Sequence, residues 1–136
     1  MKLDIDRKKI IIIADDDDDS YILEEIYLRK TDIKNQIIRF CDGEEMIDFL
    51  KQEEIKGDPL WEKYIILMDI RMPKIDGISV LEFMKKNSCL QKTPVIMVSA
   101  SSNPNFIAQC RNLGCSDYFV KPFDFEKAKE IKNNYL

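Results

Sequence analysis

Five short apolar runs, each followed by a segment of helical spacing, constrain this chain more than any other feature of its sequence. The runs are Ile10–Ala14, Ile37–Phe40, Tyr64–Met68, Val95–Val98 and Tyr118–Val120, all rich in β-branched or aromatic residues. Runs this short and this apolar are strands, whereas apolar residues spaced by three and four belong to helices. On the first helix Tyr21, Ile22 and Ile26 are expected to form the buried stripe, widened by Leu23, Tyr27 and Leu28. Met46, Ile47, Phe49 and Leu50 follow the second run, and Ile78, Leu81, Phe83 and Met84 the third. Phe106, Ile107, Cys110 and Leu113 follow the fourth, and Phe125, Ala128 and Ile131 the last. Strands alternating with helices form βα units and a parallel sheet. Strands apolar along nearly their whole length fit a sheet covered on both faces. The expected class is α/β, a doubly wound five-stranded parallel sheet.

The punctuation agrees. Asp42-Gly43 and Asp76-Gly77 read as turns into helices, Asn103-Pro104 opens the fourth helix, and Gly114 stands where that helix should stop. The segment "KQEEIKGDPLWEK" from Lys51 to Lys63 is the one long connection. With no repeat and no linker, residues 1–136 read as one domain with a core from about Lys9 to about Ile131. The last helix, Phe125 to about Asn134, is short, which leaves room for an output module beyond this chain. Its Lys127, Lys129 and Lys132 read as a solvated face.

Composition excludes several classes. The net charge of −4 argues against a nucleic-acid surface. No apolar run approaches the roughly 20 residues of a membrane helix, and the charged Met1–Lys9 does not resemble a secretory signal. Cys41, Cys89, Cys110 and Cys115 form no C-x-x-C pair, and histidine is absent, so the usual zinc sites are not expected. The thiols are expected to be free and mostly buried, in a cytoplasmic protein. Without histidine the chain has no Ser-His or Cys-His nucleophile and carries no phosphohistidine of its own.

The chemistry concentrates after the first run, where "IIIADDDDDS" places Asp15–Asp19 together. Two carboxylates ~5 Å apart at an effective dielectric of ~20 repel by roughly 3 kcal/mol, so a cation is the natural occupant among some of them. Ligands in open α/β sheets gather beyond the carboxyl ends of the strands. Those ends deliver Asp15 and Asp16, then Asp69 in "LMDIRMPKIDG", Ser99 in "VIMVSAS" and Lys121 in "YFVKPF". The second strand, ending at Phe40 and Cys41, offers nothing obvious. Three carboxylates, a hydroxyl and an ammonium should therefore meet at one rim. Asp17, Asp18 and Asp19 are better explained as the acidic, capping start of the first helix.

The four motifs, in this order and covering nearly the whole chain, resemble the receiver domain of two-component response regulators, the CheY-like family. The resemblance implies a flavodoxin-like sheet of strand order 2-1-3-4-5. It makes Asp69 the phosphoacceptor and Mg²⁺ the cofactor. The ion's ligands would be Asp16, Asp69 and the backbone carbonyl of Arg71, with Asp15 binding through water or orienting the site. Ser99 matches the switch hydroxyl, Lys121 the phosphoryl-pairing lysine, and Tyr118 the aromatic switch residue. Arg71 and Ser101 match positions that line the approach of the hydrolytic water. The implied partners are a sensor histidine kinase or a histidine phosphotransfer protein, and a downstream protein target. A homodimer through the fourth helix, fifth strand and fifth helix is also within the family's repertoire. No separate substrate turnover is implied. The "PKIDG" loop and "TPVIMVSASS" look loosely like the phytochrome-kinase partner group.

Other readings fit less of the sequence. "DDDDS" from Asp16 to Ser20 matches D-x-D-x-S and resembles the Asp16-x-Asp18 nucleophile loop of haloacid-dehalogenase-type phosphatases. That reading leaves Asp69 and "MPKIDG" unexplained, and only Asp124 and Glu126 follow Lys121. A calcium loop counted from Asp15 or Asp16 ends on Ile26 or Tyr27 rather than glutamate. A flavin-binding reading lacks the Ser/Thr- and Gly-rich phosphate loop after the first strand.

Overall fold

A computed structural model of the protein describes residues 9–136. The strands are β1 (Ile10–Ala14), β2 (Ile37–Phe40), β3 (Tyr64–Met68), β4 (Val95–Ser99) and β5 (Asp117–Val120). The helices are α1 (Asp18–Lys30), α2 (Gly43–Lys56), α3 (Gly77–Lys85), α4 (Pro104–Asn112) and α5 (Phe125–Tyr135), with a 3₁₀ turn at Leu60–Glu62. All strand pairs are parallel and the order is β2-β1-β3-β4-β5. The sheet is the one expected from the alternation of runs and helices. Among the described residues, no helix is long and apolar enough to cross a membrane.

Capping explains where the helices begin. Asp17, Asp42, Asp76, Asn103 and Asp124 each precede a helix and accept a backbone N–H two or three residues on, satisfying a donor the helix itself cannot. Asp17 is thus the cap of α1, with Asp18 and Asp19 in its first turn. At the other end of α4, Gly114 takes φ +90°, with Gly114 N–H bonded to Arg111 and Cys115 N–H to Cys110. That pair of bonds is a Schellman stop, which favours glycine because it needs a left-handed residue.

Alternate strand residues feed two core layers. Ile12, Ala14, Met68 and Met97 pack with Met46, Leu50, Leu81 and Met84 on one side. Ile11, Ile13, Leu67, Val98 and Phe119 pack with Leu28, Ala128 and Ile131 on the other. Register then sets the rim. Ala14 lies opposite both Phe40 and Met68, and Ser99 lies opposite Val120. The backbone ladder runs one step further, with Asp15 N–H bonded to Phe40 (3.0 Å), Asp69 N–H to Ala14 (2.9 Å) and Lys121 N–H to Ser99 (2.8 Å). Each of these side chains therefore leaves the sheet at a fixed height.

Two expectations change. Ile22, Leu23 and Ile26 are not the buried stripe of α1: Ile22 is 48% exposed, while Glu24 is 1% exposed and Leu28 is fully buried. The face that turns inward carries Ser20, Glu24 and Leu28, spaced by four, with Leu28 packed in the core and Ser20 bonded to Lys121 at the start of the helix. Of the four free cysteines only Cys110 is buried; Cys41 is exposed, and Cys89 and Cys115 are partly covered.

Glu24 is a buried acid close to the charged rim, and its Oε2 has no hydrogen-bond partner among the described residues. Burial pushes its carboxyl up to about 8, helped by the charges of Asp15 and Asp69 and opposed by Lys121. The folded chain therefore holds a proton on Glu24 that the unfolded chain releases above about 4.5. Folding stability from this group falls as pH rises between those two values and is flat beyond. Glu24→Gln removes the effect. With divalent ions chelated, its gain over the native chain in urea unfolding should be about 3–4 kcal/mol larger at pH 8 than at pH 5. A Cβ at Gly77 would stand 2.0 Å from the Asp69 carbonyl, whereas one at Gly57 meets nothing. Gly77→Ala should therefore cost about 2 kcal/mol or more, and Gly57→Ala, strained only by its φ of +76°, about 1 kcal/mol.

Candidate functional site

The rim gathers what the parallel sheet carries to it. Asp15, Asp16 and Asp69 each bring a carboxylate oxygen within 4.8 Å of the others, with Asp15 and Asp69 buried and Asp16 exposed. Lys121 reaches in from the end of β5, where its peptide bond to Pro122 is cis. Its Nζ donates to Asp15 Oδ2 (2.9 Å), Asp69 Oδ2 (3.1 Å) and Ser20 Oγ (3.1 Å). An ammonium has three N–H groups, so all are engaged. Ser20 donates its own proton to Asp17 Oδ2 (2.8 Å) and so turns a lone pair toward the lysine.

Charge at the rim is unbalanced. Burial and the neighbouring Asp15 charge raise the Asp69 carboxyl above its ordinary value, more than Lys121 and the Arg71 N–H lower it. Burial pulls Lys121 down, yet its bonds and charges from Asp15 and Asp69 outweigh that and hold it above the usual lysine value. Three carboxylates against one ammonium leave an excess of negative charge on hard oxygen donors. That set fits a divalent cation of the oxygen-seeking kind.

The other side of Asp69 is a cavity of about 250 Å³ lined by Asp69, Arg71, Ser99, Ala100, Ser101 and Lys121. Ser99 is buried, and its Oγ accepts the Ser101 N–H at 3.2 Å. Tyr118 lies inward, 7% exposed, and donates its hydroxyl to the Ser101 carbonyl at 2.7 Å. Asp15, Asp16, Asp69, Arg71, Ser99, Ser101 and Lys121 thus stand at this edge or on the short loops beside it, and Tyr118, within β5, reaches it through its hydroxyl.

Three residues were not legible in advance. Ser20 and Glu24 depend on the rotation of α1. Arg39 corrects the expectation that the second strand contributes nothing. Its Nε donates to the Asp15 carbonyl (3.1 Å), its Nη2 lies 2.8 Å from Asp18 Oδ1, and its guanidinium stacks 4.6 Å from the Tyr21 ring centre. An arginine in the otherwise apolar "IIRF", one strand from an acidic run, was the available signal. Asp124 and Glu126 form the cap and first turn of α5 and do not supply a second acidic pair at a strand end.

Comparison with known proteins agrees with this geometry. The family model of the response regulator receiver domain matches residues 11–132. The solved Mn²⁺-bound form of response regulator Rcp1 is 27% identical, superposes with a TM-score of 0.79 and covers 95% of both chains. The phosphorylated cyanobacterial phytochrome response regulator RcpA is 26% identical, with a TM-score of 0.79 over 93% of each chain. Among curated proteins, the probable methanogenesis regulatory protein FilR2 of Methanothrix harundinacea is 31% identical over 99 residues, 70% of this chain. The chain spans 63% of the length of FilR2 and 15% of that of the regulatory protein AtoC of Escherichia coli. Nothing in these comparisons supports the phosphatase alternative. A parallel 2-1-3-4-5 sheet, an acidic edge crossed by one lysine and a family match over nearly the whole sequence lead to one assignment: this chain belongs to the response regulator receiver domains, phosphoacceptor switches of two-component signalling.

Proposed function

We propose that Asp69 is the phosphoacceptor of this receiver and that Mg²⁺ is its working ion. The observation that carries the reading is the convergence of Asp15, Asp16 and Asp69 on one side of Lys121 with the Ser99 cavity on the other. Asp16, Asp69 and the Arg71 carbonyl would hold the ion, with Asp15 oriented by Lys121 and by the Asp17 N–H at 2.9 Å. When bound, the ion supplies positive charge to phosphoryl oxygens.

The remaining steps belong to the chain. An Asp69 oxygen attacks the phosphorus of a donor phosphohistidine, the P–N bond breaks, and the imidazole leaves with the bonding pair. Lys121 follows the charge outward, exchanging its bond to Asp69 for one to a phosphoryl oxygen. Ser99 has its hydroxyl proton free to turn toward another phosphoryl oxygen, because its Oγ accepts rather than donates to Ser101. Tyr118 already occupies the inward seat, so phosphorylation stabilises that seat over an outward one rather than creating it. Arg71 and Ser101, flanking the cavity, set the access of water and hence the lifetime of the aspartyl phosphate. Output passes through the face of α4, β5 and α5 to a downstream protein target or a second copy of the chain. The donor is a sensor histidine kinase or a histidine phosphotransfer protein, and the setting is the cytoplasm. A receiver-like match over 97% of this chain to the osmosensing histidine protein kinase SLN1 of Saccharomyces cerevisiae, at 26% identity, fits such a relay.

Asp69→Asn should abolish labelling by radioactive acetyl phosphate, whereas retained labelling would place the acceptor elsewhere. Asp16→Ala should weaken Mg²⁺ binding at least about tenfold by calorimetry, and Asp18→Ala far less. Equal losses would overturn the division of the acidic run into ligands and helix start.

A further inference from the structure

We infer that Arg39 is a positioning residue for the divalent cation, clamping the β1–α1 loop in its ligand-ready shape from the neighbouring strand. The inference rests on the metal reading proposed above and adds a residue to it.

Arg39 stands at the third position of β2, level with Ile13. From there one side chain touches three points of the loop: the Asp15 carbonyl, the Asp18 carboxylate and the Tyr21 ring. These points bracket Asp16, the exposed member of the carboxylate triad. The contacts suit a guanidinium and no other side chain. A planar fork can donate from Nε while its outer nitrogen meets a carboxylate and its face lies on an aromatic ring. A lysine ammonium has donors enough, but as a compact point on a flexible stem it offers no planar face to lie on Tyr21 while meeting the Asp15 carbonyl and the Asp18 carboxylate. Burial lowers the Arg39 proton affinity, but Asp18, Cys41 and Asp15 more than compensate and hold it above the usual arginine range.

The physical need is plain. Asp15–Asp19 repel one another, and a loop left to that repulsion would splay Asp16 away from Asp15 and Asp69. An ion binding a splayed loop must spend part of its binding energy drawing it together, whereas a clamped loop has met that cost in folding. Ligands held by such outer contacts lose affinity when those contacts are removed, typically about tenfold or more.

Charge alone predicts the opposite sign. Arg39 is a cation near a cation site, so if it acted only as a charge, its removal would tighten binding. Mn²⁺ affinity, read from the electron paramagnetic resonance signal of the free ion, separates the two. In the full chain, Arg39→Met and Arg39→Lys should each weaken Mn²⁺ binding about tenfold, with far-UV circular dichroism unchanged. Tyr21→Leu, which alters no charge, should weaken it about threefold through the lost stacking. Unchanged or tighter binding in Arg39→Met overturns the clamp, as does native affinity in Arg39→Lys. If either Arg39 variant fails to fold, Tyr21→Leu decides: native affinity there also overturns it. Failure of the underlying reading looks different, because then Asp16→Ala binds Mn²⁺ as tightly as the native chain.

Discussion

Lys121 donates to Asp15 at 2.9 Å and to Asp69 at 3.1 Å, and these groups come from β5, β1 and β3, which do not all touch one another. Two buried carboxylates this close would otherwise repel in a medium that screens them poorly. Removing one member of such a buried set is strongly unfavourable because it leaves uncompensated charge inside. The ammonium therefore sets the shape of the edge. It also bonds Ser20, on the face of α1 that turns Glu24 to the interior while Ile22 faces water. In the proposed reaction a phosphoryl group on Asp69 would compete for this same ammonium, and so act on the contact that organises the edge.

From that edge a short series of bonds leads to α4. Ser99 Oγ accepts from Ser101 N–H, Ser101 Oγ from Asn103 N–H, and Asn103 Oδ1 from Asn105 N–H inside the helix. Tyr118 joins at the Ser101 carbonyl. Each link spans two residues, so a movement of the Ser99 hydroxyl has few ways to dissipate before it reaches the helix start. This is a contiguous run of hydrogen bonds from the edge to the start of α4, with the Tyr118 hydroxyl joined to it at Ser101.

The sheet was legible because strands buried on both faces leave long apolar runs, and the parallel topology then decides which residues share an edge. Asp15, Asp16, Asp69, Ser99 and Lys121 all stand within two residues of the end of such a run, so the run boundaries alone locate them. The helix starts were legible for a local reason too, since Asp17, Asp42, Asp76, Asn103 and Asp124 cap within three residues of themselves. The features hidden from sequence depend on contacts between distant segments. Apolar spacing in α1 points to Ile22 and Ile26, yet the helix turns Glu24 and Leu28 inward, with Ser20 bonded to a lysine 101 residues further along the chain. Arg39 escaped for the same reason: its partners lie across a strand pair, and no local pattern announces them. Glu24 had no signature at all, because a glutamate in the middle of a helix normally faces water.

The bond from Asp69 N–H to the Ala14 carbonyl makes the Asp69 backbone a rung of the β1–β3 ladder, whereas Asp16 hangs on the turn just past β1. The two halves of the site thus differ in stiffness. Asp69 is tied into the hydrogen-bonded sheet itself, whereas Asp16 depends on the turn and on the contacts that hold that turn. A change confined to that turn would therefore shift Asp16 while leaving Asp69 on its rung.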